Sequence, residues 1–369
     1  MQDLGTLGSG RSLARDVSAD GSVVVGWSAL PGNGPTHAFR WVAGAGGQGG
    51  TMQDLVPSTA YESLAVGVSA DGSVVAGYRR TVGFGTNSAF RWTAAGGIQE
   101  LGALGTNGAI VYGISDDGMV IVGSSYVAHT TVAHAFRWTA QSGMQDIGVL
   151  EGGTHAYAYG ASADGSVVVG NSNSLLAPQH AFRWTAAGGM QDLGTLGGRM
   201  STAHAASADG SVVVGWAHNA AGFERAFRWT AAEGMQDLGV GQAYGVSADG
   251  SVVAGFTYDG VRVRGFRWTA EAGMREVETL GGASSYVHGI SADRSTVVGT
   301  SEVQKNLSHA FRQSIIGDFN GDGATNSQDF FDFLSAFFTG SPDADHNHDG
   351  ITNSQDLFEF LKILLTACR

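Results

Sequence analysis

A nine-residue block that returns seven times constrains this chain more than any other feature. Ser-Ala-Asp-Gly-Ser, a Val-rich run and a closing Gly occupy residues 18–26, 69–77, 162–170, 207–215 and 247–255, with looser copies at 115–123 and 291–299. Ala-Phe-Arg-Trp keeps step with it, starting at Ala38, Ala89, Ala135, Ala181 and Ala226, with variants at Gly265 and Ala310. So does Met-Gln-Asp-Leu, at Met1, Met52, Met144, Met190 and Met235, with variants at Ile98 and Met274. Spacings of 40 to 51 residues make residues 1–313 one repeat architecture, in which most recurring residues serve the scaffold.

Each repeat reads as four short strands. Between Tyr157 and Leu193, a mixed small and aromatic run ends at Asp164-Gly165, a hairpin signal because Gly takes positive φ cheaply. The β-branched run Val167–Val169 suits a strand covered on both faces. His180-Ala-Phe-Arg-Trp184 places aromatics at period two, and Gly188-Gly189 turns the chain into Met190–Leu193. Four strands in about 45 residues make a propeller blade. With 58 Gly and 5 Pro, the composition suits many short strands and tight turns. The chain opens on a fourth strand, Met1–Leu4, and the repeats end on a third, Ala310–Arg312. The spacing therefore predicts an all-β, seven-bladed β-propeller whose N-terminal strand closes the last blade and leaves no open edge. The alternative is an open β-solenoid.

Two kinds of position bear on function. Every third strand holds an Arg (40, 91, 137, 183, 228, 267, 312) and every fourth an acid (3, 54, 100, 146, 192, 237, 276). A charged binding ring is one reading; the expected one is a structural Arg–carboxylate pair between neighbouring strands of each blade. The Asp of each Asp-Gly turn is likewise expected to be a turn residue and not a calcium ligand. Positions that vary between repeats are the better guide. Three residues before each block Ser stand Arg15, Val66, Tyr112, Tyr159, His204, Tyr244 and His288. Innermost strands line a propeller's channel, so Arg15, Tyr112, Tyr159, His204, Tyr244 and His288 form a candidate site for a sugar or peptide. No nucleophile elbow, zinc histidine pair or phosphate-binding loop is present in the sequence.

These blocks resemble the HAF repeat family, named for its His-Ala-Phe motif, across residues 1–313. The motif's His stands at His37, His134, His180 and His309 but is replaced by Ser88, Arg225 and Arg264, so it is no obligatory ligand. The resemblance implies an extracellular or cell-surface protein and no established activity.

After Arg312 the pattern changes. Asp318, Asn320, Asp322, the Ala324 carbonyl, Asn326 and Asp329 fall at positions 1, 3, 5, 7, 9 and 12 of a twelve-residue calcium loop, with Gly323 at the sharp bend. The pattern returns 27 residues later as Asp345, Asn347, Asp349, the Ile351 carbonyl, Asn353 and Asp356. Each loop leads into a helical stripe: Phe330, Phe333, Leu334, Phe337 and Phe338, then Leu357, Phe360, Leu361, Leu364 and Leu365. A doubled loop-helix unit whose loops end in Asp, where an EF-hand has Glu, resembles the type I dockerin over about residues 316–367. The resemblance implies a small all-α, EF-hand-like domain (314–369) that binds two Ca²⁺ and docks onto a cohesin-like partner. It assigns partner contact to Ser327, Gln328, Ser354 and Gln355, and the repeated Ser-Gln would allow two docking orientations. Phe331 and Phe358, beside the core stripes, are candidates for further apolar contact. The tail Ala367-Cys368-Arg369 resembles a dockerin variant ending in Gly-Cys, which makes Cys368 a candidate anchor although Ala replaces Gly.

The net charge of −13 and the lack of a basic stripe argue against nucleic acid. Residues 318–369 carry nine acidic and two basic side chains, more than half of that charge. No apolar run is long enough to span a bilayer, and the single Cys excludes an internal disulfide. No secretory signal is visible, but Met1 is itself the Met of a repeat block, which leaves room for a longer reading frame. The reading is a secreted or cell-surface, non-catalytic binding or scaffold protein whose propeller binds a glycan or protein and whose C-terminal module docks or anchors it. The alternative is a dockerin-borne polysaccharide hydrolase or lyase, which needs two carboxylates in the channel; the first strands offer Asp16 and Glu62. A structural protein of a surface layer is a third reading. Calcium is expected to order residues 314–369 and leave the propeller unchanged. Limited proteolysis and circular dichroism of the full chain check this: chelator should expose that segment alone, and unchanged resistance would contradict it.

Overall fold

The computed structural model describes all residues except 9, 45–48, 59–60, 83–84, 128–129, 176, 305–306, 315–318, 320–326, 342–343, 345–350 and 368–369, and the side chains of 33, 314, 359 and 362–367. Its 28 strands form seven four-stranded antiparallel sheets, one per repeat. In the first blade Ser12–Val17, Val23–Ala29, Thr36–Ala43 and Gly50–Asp54 lie side by side in chain order. The seventh comprises Ser285–Ile290, Thr296–Gln304 and Leu307–Ser314, and its fourth strand is Gln2–Asp3 from the N-terminus. Asp3 lies opposite Phe311, the Leu4 N–H donates to the Ala310 carbonyl (3.0 Å), and His309 Nδ1 sits 2.7 Å from the Asp3 carboxylate. The fold is a seven-bladed propeller, closed as the repeat order predicts.

The core lies between blades. Second strands such as Val167–Ser172 are buried along their whole length because neighbouring blades cover both faces. Val167 and Val169 of the fourth blade pack with Val213, Phe227 and Trp229 of the fifth. The Phe of every Ala-Phe-Arg-Trp motif is completely buried. At the inner ends of the blades, backbone hydrogen bonds pass from each blade to the next. Ala19, Ala70, Asp117, Ala163, Ala208, Ala248 and Asp293 donate to the carbonyls of Ala70, Asp116, Ala163, Ala208, Ala248, Ala292 and Ala19, at 2.8–3.4 Å. Seven bonds thus complete a circle.

The block's polar residues build its turn. Ser162 Oγ donates to Asp164 Oδ1 (2.9 Å) and accepts the Val167 N–H (2.9 Å), while the Ser166 N–H donates to the same carboxylate (2.9 Å). These hydrogen bonds hold Asp164 below the usual carboxylate range. The turn Gly has φ of 64–73° in six blades. In the seventh, Arg294 takes φ 67°, alone among described non-glycine residues, and lies 3.2 Å from Asp249 of the preceding blade.

The expected pairing of third-strand Arg with fourth-strand acid is not what forms. Arg40 lies opposite Gln53, while Asp54 lies opposite Phe39, so the two charges leave the sheet on opposite faces. Arg40, Arg137, Arg183 and Arg228 instead donate to the turn-Gly carbonyls of the next blade, at Gly72, Gly165, Gly210 and Gly250. Four of the acids pair with the motif's His, Asp237 with its substitute Arg225, and Glu100 with Arg79 on the second strand. His37–Asp54, His134–Asp146, His180–Asp192 and His309–Asp3 lie at 2.7–2.8 Å, joined by Arg225–Asp237 (3.0 Å) and Arg79–Glu100 (2.6 Å).

Two helices follow, α1 (Ser327–Thr339) and α2 (Ser354–Ala367). Phe333 and Phe360, 27 residues apart, stack with centroids 4.2 Å apart, and Phe319 meets both edge-on at 5.3 and 5.8 Å. Phe338, expected in the α1 stripe, is 79% exposed: at the eighth step the helical period has carried it off the contact face.

A methyl group at Gly165 would meet Val120 of the preceding blade while φ stays at 64°. Gly165→Ala should therefore cost about 2–4 kcal/mol in denaturant unfolding. Arg294→Ala, which loses one half-exposed ion pair, should cost less than about 1 kcal/mol. Equal effects would contradict this account of the turn.

Candidate functional site

In every blade the ladder between the first and second strands skips one residue. Ala14 pairs with Gly26 and Asp16 with Val25, leaving Arg15 out. The same bulge leaves out Val66, Tyr112, Tyr159, His204, Tyr244 and His288. These are the seven variable positions picked out by aligning the repeats. A bulge inserts a residue and re-aims its side chain, here toward the axis. The block's closing Gly makes this possible: a Cβ on Gly26 would fall on the Leu13 carbonyl oxygen, and the Gly of every other blade is in the same situation.

All seven bulged residues line one cavity of ≈ 620 Å³, within the range of small-ligand sites. From the third blade to the seventh they form an arc of rings. Tyr112 lies 5.0 Å from Tyr159, Tyr159 is edge-on to His204 at 5.7 Å, His204 stacks on Tyr244 at 4.2 Å, and Tyr244 is edge-on to His288 at 5.7 Å. Arg15 stands in the gap between the arc's two ends, with Val66 beside it in blade order. The arc is neutral: burial is the main cause that lowers His204 to about 4 and His288 to about 3, with the Arg15 charge adding to both. His204 Nδ1 lies 2.9 Å from the Ala243 carbonyl, so that nitrogen carries the proton.

Asp16 also lines the cavity, but its Oδ1 accepts the Val17 N–H (2.8 Å) and its Oδ2 the Val68 N–H (2.9 Å), tying the first blade to the second. Burial, then the nearby Asp116, push it up to about 6 against those bonds. Glu62 is not in the cavity; Arg80 holds it at 2.6 Å. The two first-strand carboxylates are not brought together, because Glu62 lies at the far end of its strand from the bulge.

A second variable column escaped the sequence reading. The residues directly after the block's closing Gly include Tyr78, Asn171 and Trp216, and all three line the cavity. Asn171 Nδ2 and Gln179 Nε2 both donate to Thr202 Oγ1, at 3.1 and 2.5 Å. Asp116, where six blocks have Ala, lines the same space beside the ring of inter-blade hydrogen bonds.

In the C-terminal module, the expected ligands Asp318, Asn320, Asp322, Ala324, Asn326, Asp345, Asn347 and Asp349, and the candidate anchor Cys368, lie outside the described residues. Asp329 and Asp356 lie in the first turns of α1 and α2 with no exposed surface. Asp356 Oδ2 accepts the Asn353 N–H (2.9 Å), and Asn353 Nδ2 donates to the Ile351 carbonyl (3.0 Å). Two buried carboxylates, each at the end of a sequence stretch rich in Asp and Asn, are of the chemical type a hard divalent cation takes. Ser327, Gln328, Ser354 and Gln355 are exposed, as are Phe331 (61%) and Phe358 (68%), one helical turn after each Ser.

Because the His204 pKa is lowered, the unfolded chain takes up this proton first. The stability it contributes is full above pH 6.5 and is lost as pH falls toward about 4. His204→Asn keeps a donor for the Ala243 carbonyl and should flatten the fall of unfolding temperature across that window. Identical pH slopes would contradict the buried, neutral imidazole.

No family model matches the chain, and no curated protein does. Among solved structures it is similar to TolB from Acinetobacter baumannii, with a TM-score of 0.52 and 13% identity over 71% of this chain and 65% of that one. It is similar to the β-propeller domain of the Trilobed protease from Pyrococcus furiosus (TM-score 0.54, 12% identity, 82% and 95% covered), described as having an open velcro topology. It is also similar to prolyl oligopeptidase B from Galerina marginata (TM-score 0.59, 10% identity, 87% and 50% covered). The chain thus spans 65% of that TolB and half of that oligopeptidase. At these identities the likeness shows the propeller fold alone, and the strand Gln2–Asp3 closes this ring.

Proposed function

We propose that the chain is a non-catalytic binding protein of the cell exterior. Its propeller channel takes a glycan, and its C-terminal module, read as a type I dockerin-like domain with two Ca²⁺, docks it onto a cohesin-like surface partner. One observation carries the channel reading. The scaffold blocks repeat almost unchanged, while the seven bulged side chains that face one cavity differ from blade to blade. The resemblance of residues 1–313 to HAF repeats supports the exterior location. The matched exposed sets Ser327, Gln328, Phe331 and Ser354, Gln355, Phe358 support docking through either helix. Glu62 lies outside the channel, and of the two carboxylates that line it, Asp16 and Asp116, Asp16 already accepts the Val17 and Val68 N–H groups, which weighs against the polysaccharide-degrading alternative.

Affinity electrophoresis of the full chain through soluble polysaccharides, with a reducing-end and unsaturated-product assay on the same samples, tests the channel. Retardation without new ends or double bonds is expected; product formation would establish the enzyme reading instead. Immobilised cohesin modules should retain the chain in calcium and release it to chelator, and no retention would remove the docking reading.

A further inference from the structure

We propose that the channel's ligand is an acidic saccharide, its carboxylate seated on the Arg15 guanidinium and its ring against the arc of Tyr159, His204 and Tyr244. The inference rests on the reading of the propeller as a glycan-binding module.

Among the described residues, Arg15 is the only Lys or Arg that lines the cavity. Its Nε is buried with no hydrogen-bond partner. Arg40, Arg137, Arg183 and Arg228 are engaged on carbonyls, and Arg79, Arg80 and Arg225 on carboxylates; Arg312 Nη1 is also buried without a hydrogen bond, but Arg312 lies over the Trp41 ring and does not line the cavity. The nearest acid in sequence, Asp16, does not serve Arg15. The bulge separates the two side chains, and both Asp16 oxygens already accept backbone amides from Val17 and Val68. A guanidinium stays protonated, so its buried Nε–H without a partner costs stability. It stands where the scaffold asks for nothing in particular, since the same bulge tolerates Val, Tyr and His in the other blades.

A carboxylate is the group that a buried guanidinium binds best, through paired charge-assisted hydrogen bonds. The rest of the wall suits a hydroxyl-rich ring. His288 Nδ1 is a second buried atom without a partner, on an imidazole edge-on to Tyr244. Tyr112, Tyr159 and Tyr244 line the same space, the Tyr244 hydroxyl donating to Gln242 Oε1 (2.9 Å). His204, with its Nδ1 proton on the Ala243 carbonyl, keeps Nε2 as an acceptor for a ligand hydroxyl.

The test is calorimetric titration of the full chain with uronic-acid oligosaccharides (polygalacturonate, alginate and hyaluronan fragments), each beside its carboxyl-reduced neutral counterpart, and with a tripeptide bearing a free C-terminus. At least one acidic oligosaccharide should bind, and its neutral counterpart should bind roughly 10- to 100-fold more weakly. Arg15→Gln should abolish that preference, Arg15→Lys should restore part of it, and the free Arg15→Gln protein should unfold at no lower temperature than the native one. If a neutral oligosaccharide binds as well as its acidic form, or Arg15→Gln keeps the preference, the acidic ligand is overturned while glycan binding stands. If no saccharide binds, glycan binding itself falls. Binding of the tripeptide alone would overturn the saccharide and reassign the site to a peptide carboxylate.

Discussion

The closest approach in each blade is between the second strand's last block residue and the backbone of the first strand. A Cβ there would fall on a carbonyl oxygen, of Leu13, Leu64, Ile110, Tyr157, Thr202, Gln242 or Tyr286 in turn. Only Gly fits, and a strand Gly costs roughly 0.5–1 kcal/mol relative to Ala. What the approach permits is the bulge, and the bulge turns one residue per blade toward the axis. A rule of backbone packing thus decides which seven side chains meet a ligand, while the Val run before the Gly supplies the buried surface that holds the blade in place.

Closure of the ring makes those seven positions into one site. Three kinds of contact achieve it. The N-terminal strand completes the seventh blade, the Ala310 N–H donates to Ser12 Oγ of the first blade (2.9 Å), and the circle of seven backbone hydrogen bonds joins all inner ends. In the third and seventh blades the circle's donor moves on by one residue, to Asp117 and Asp293. Those are the two blades whose blocks depart from the pattern, at Asp116 and Met119 and at Arg294. The first departure puts an additional carboxylate in the cavity; the second replaces the turn Gly by a residue at positive φ with an ion pair to Asp249.

Much of this was legible in the sequence because repetition supplies its own alignment. Blade number, closure and the bulged column Arg15 to His288 all follow from placing seven copies in register. The charge pairing did not. Whether Arg40 or Phe39 faces Asp54 depends on the register set by the connection between third and fourth strands, and a shift of one residue reverses every face. The repeated acids therefore meet the motif's His, which sequence reasoning had set aside because Ser88, Arg225 and Arg264 replace it. In two of those blades another base takes over the acid, Arg79 and Arg225. The second lining column, Tyr78, Asn171 and Trp216, was equally variable but lay beyond the block's closing Gly, where the comparison of first strands did not reach.

The central claim is that the bulge, and not simple strand alternation, presents the variable column to the channel. Single-cysteine reactivity in a Cys368→Ser background tests it most directly, along one first strand in the second blade. Val66→Cys should react with a small, charged thiol reagent and be protected by whatever ligand the propeller binds. Ala65→Cys and Val68→Cys, at positions 0% and 5% exposed, should stay unreactive until the protein unfolds. Reaction at 65 or 68 with Val66→Cys inert would mean that the first strands present a different column, and the account of the channel would fail with it.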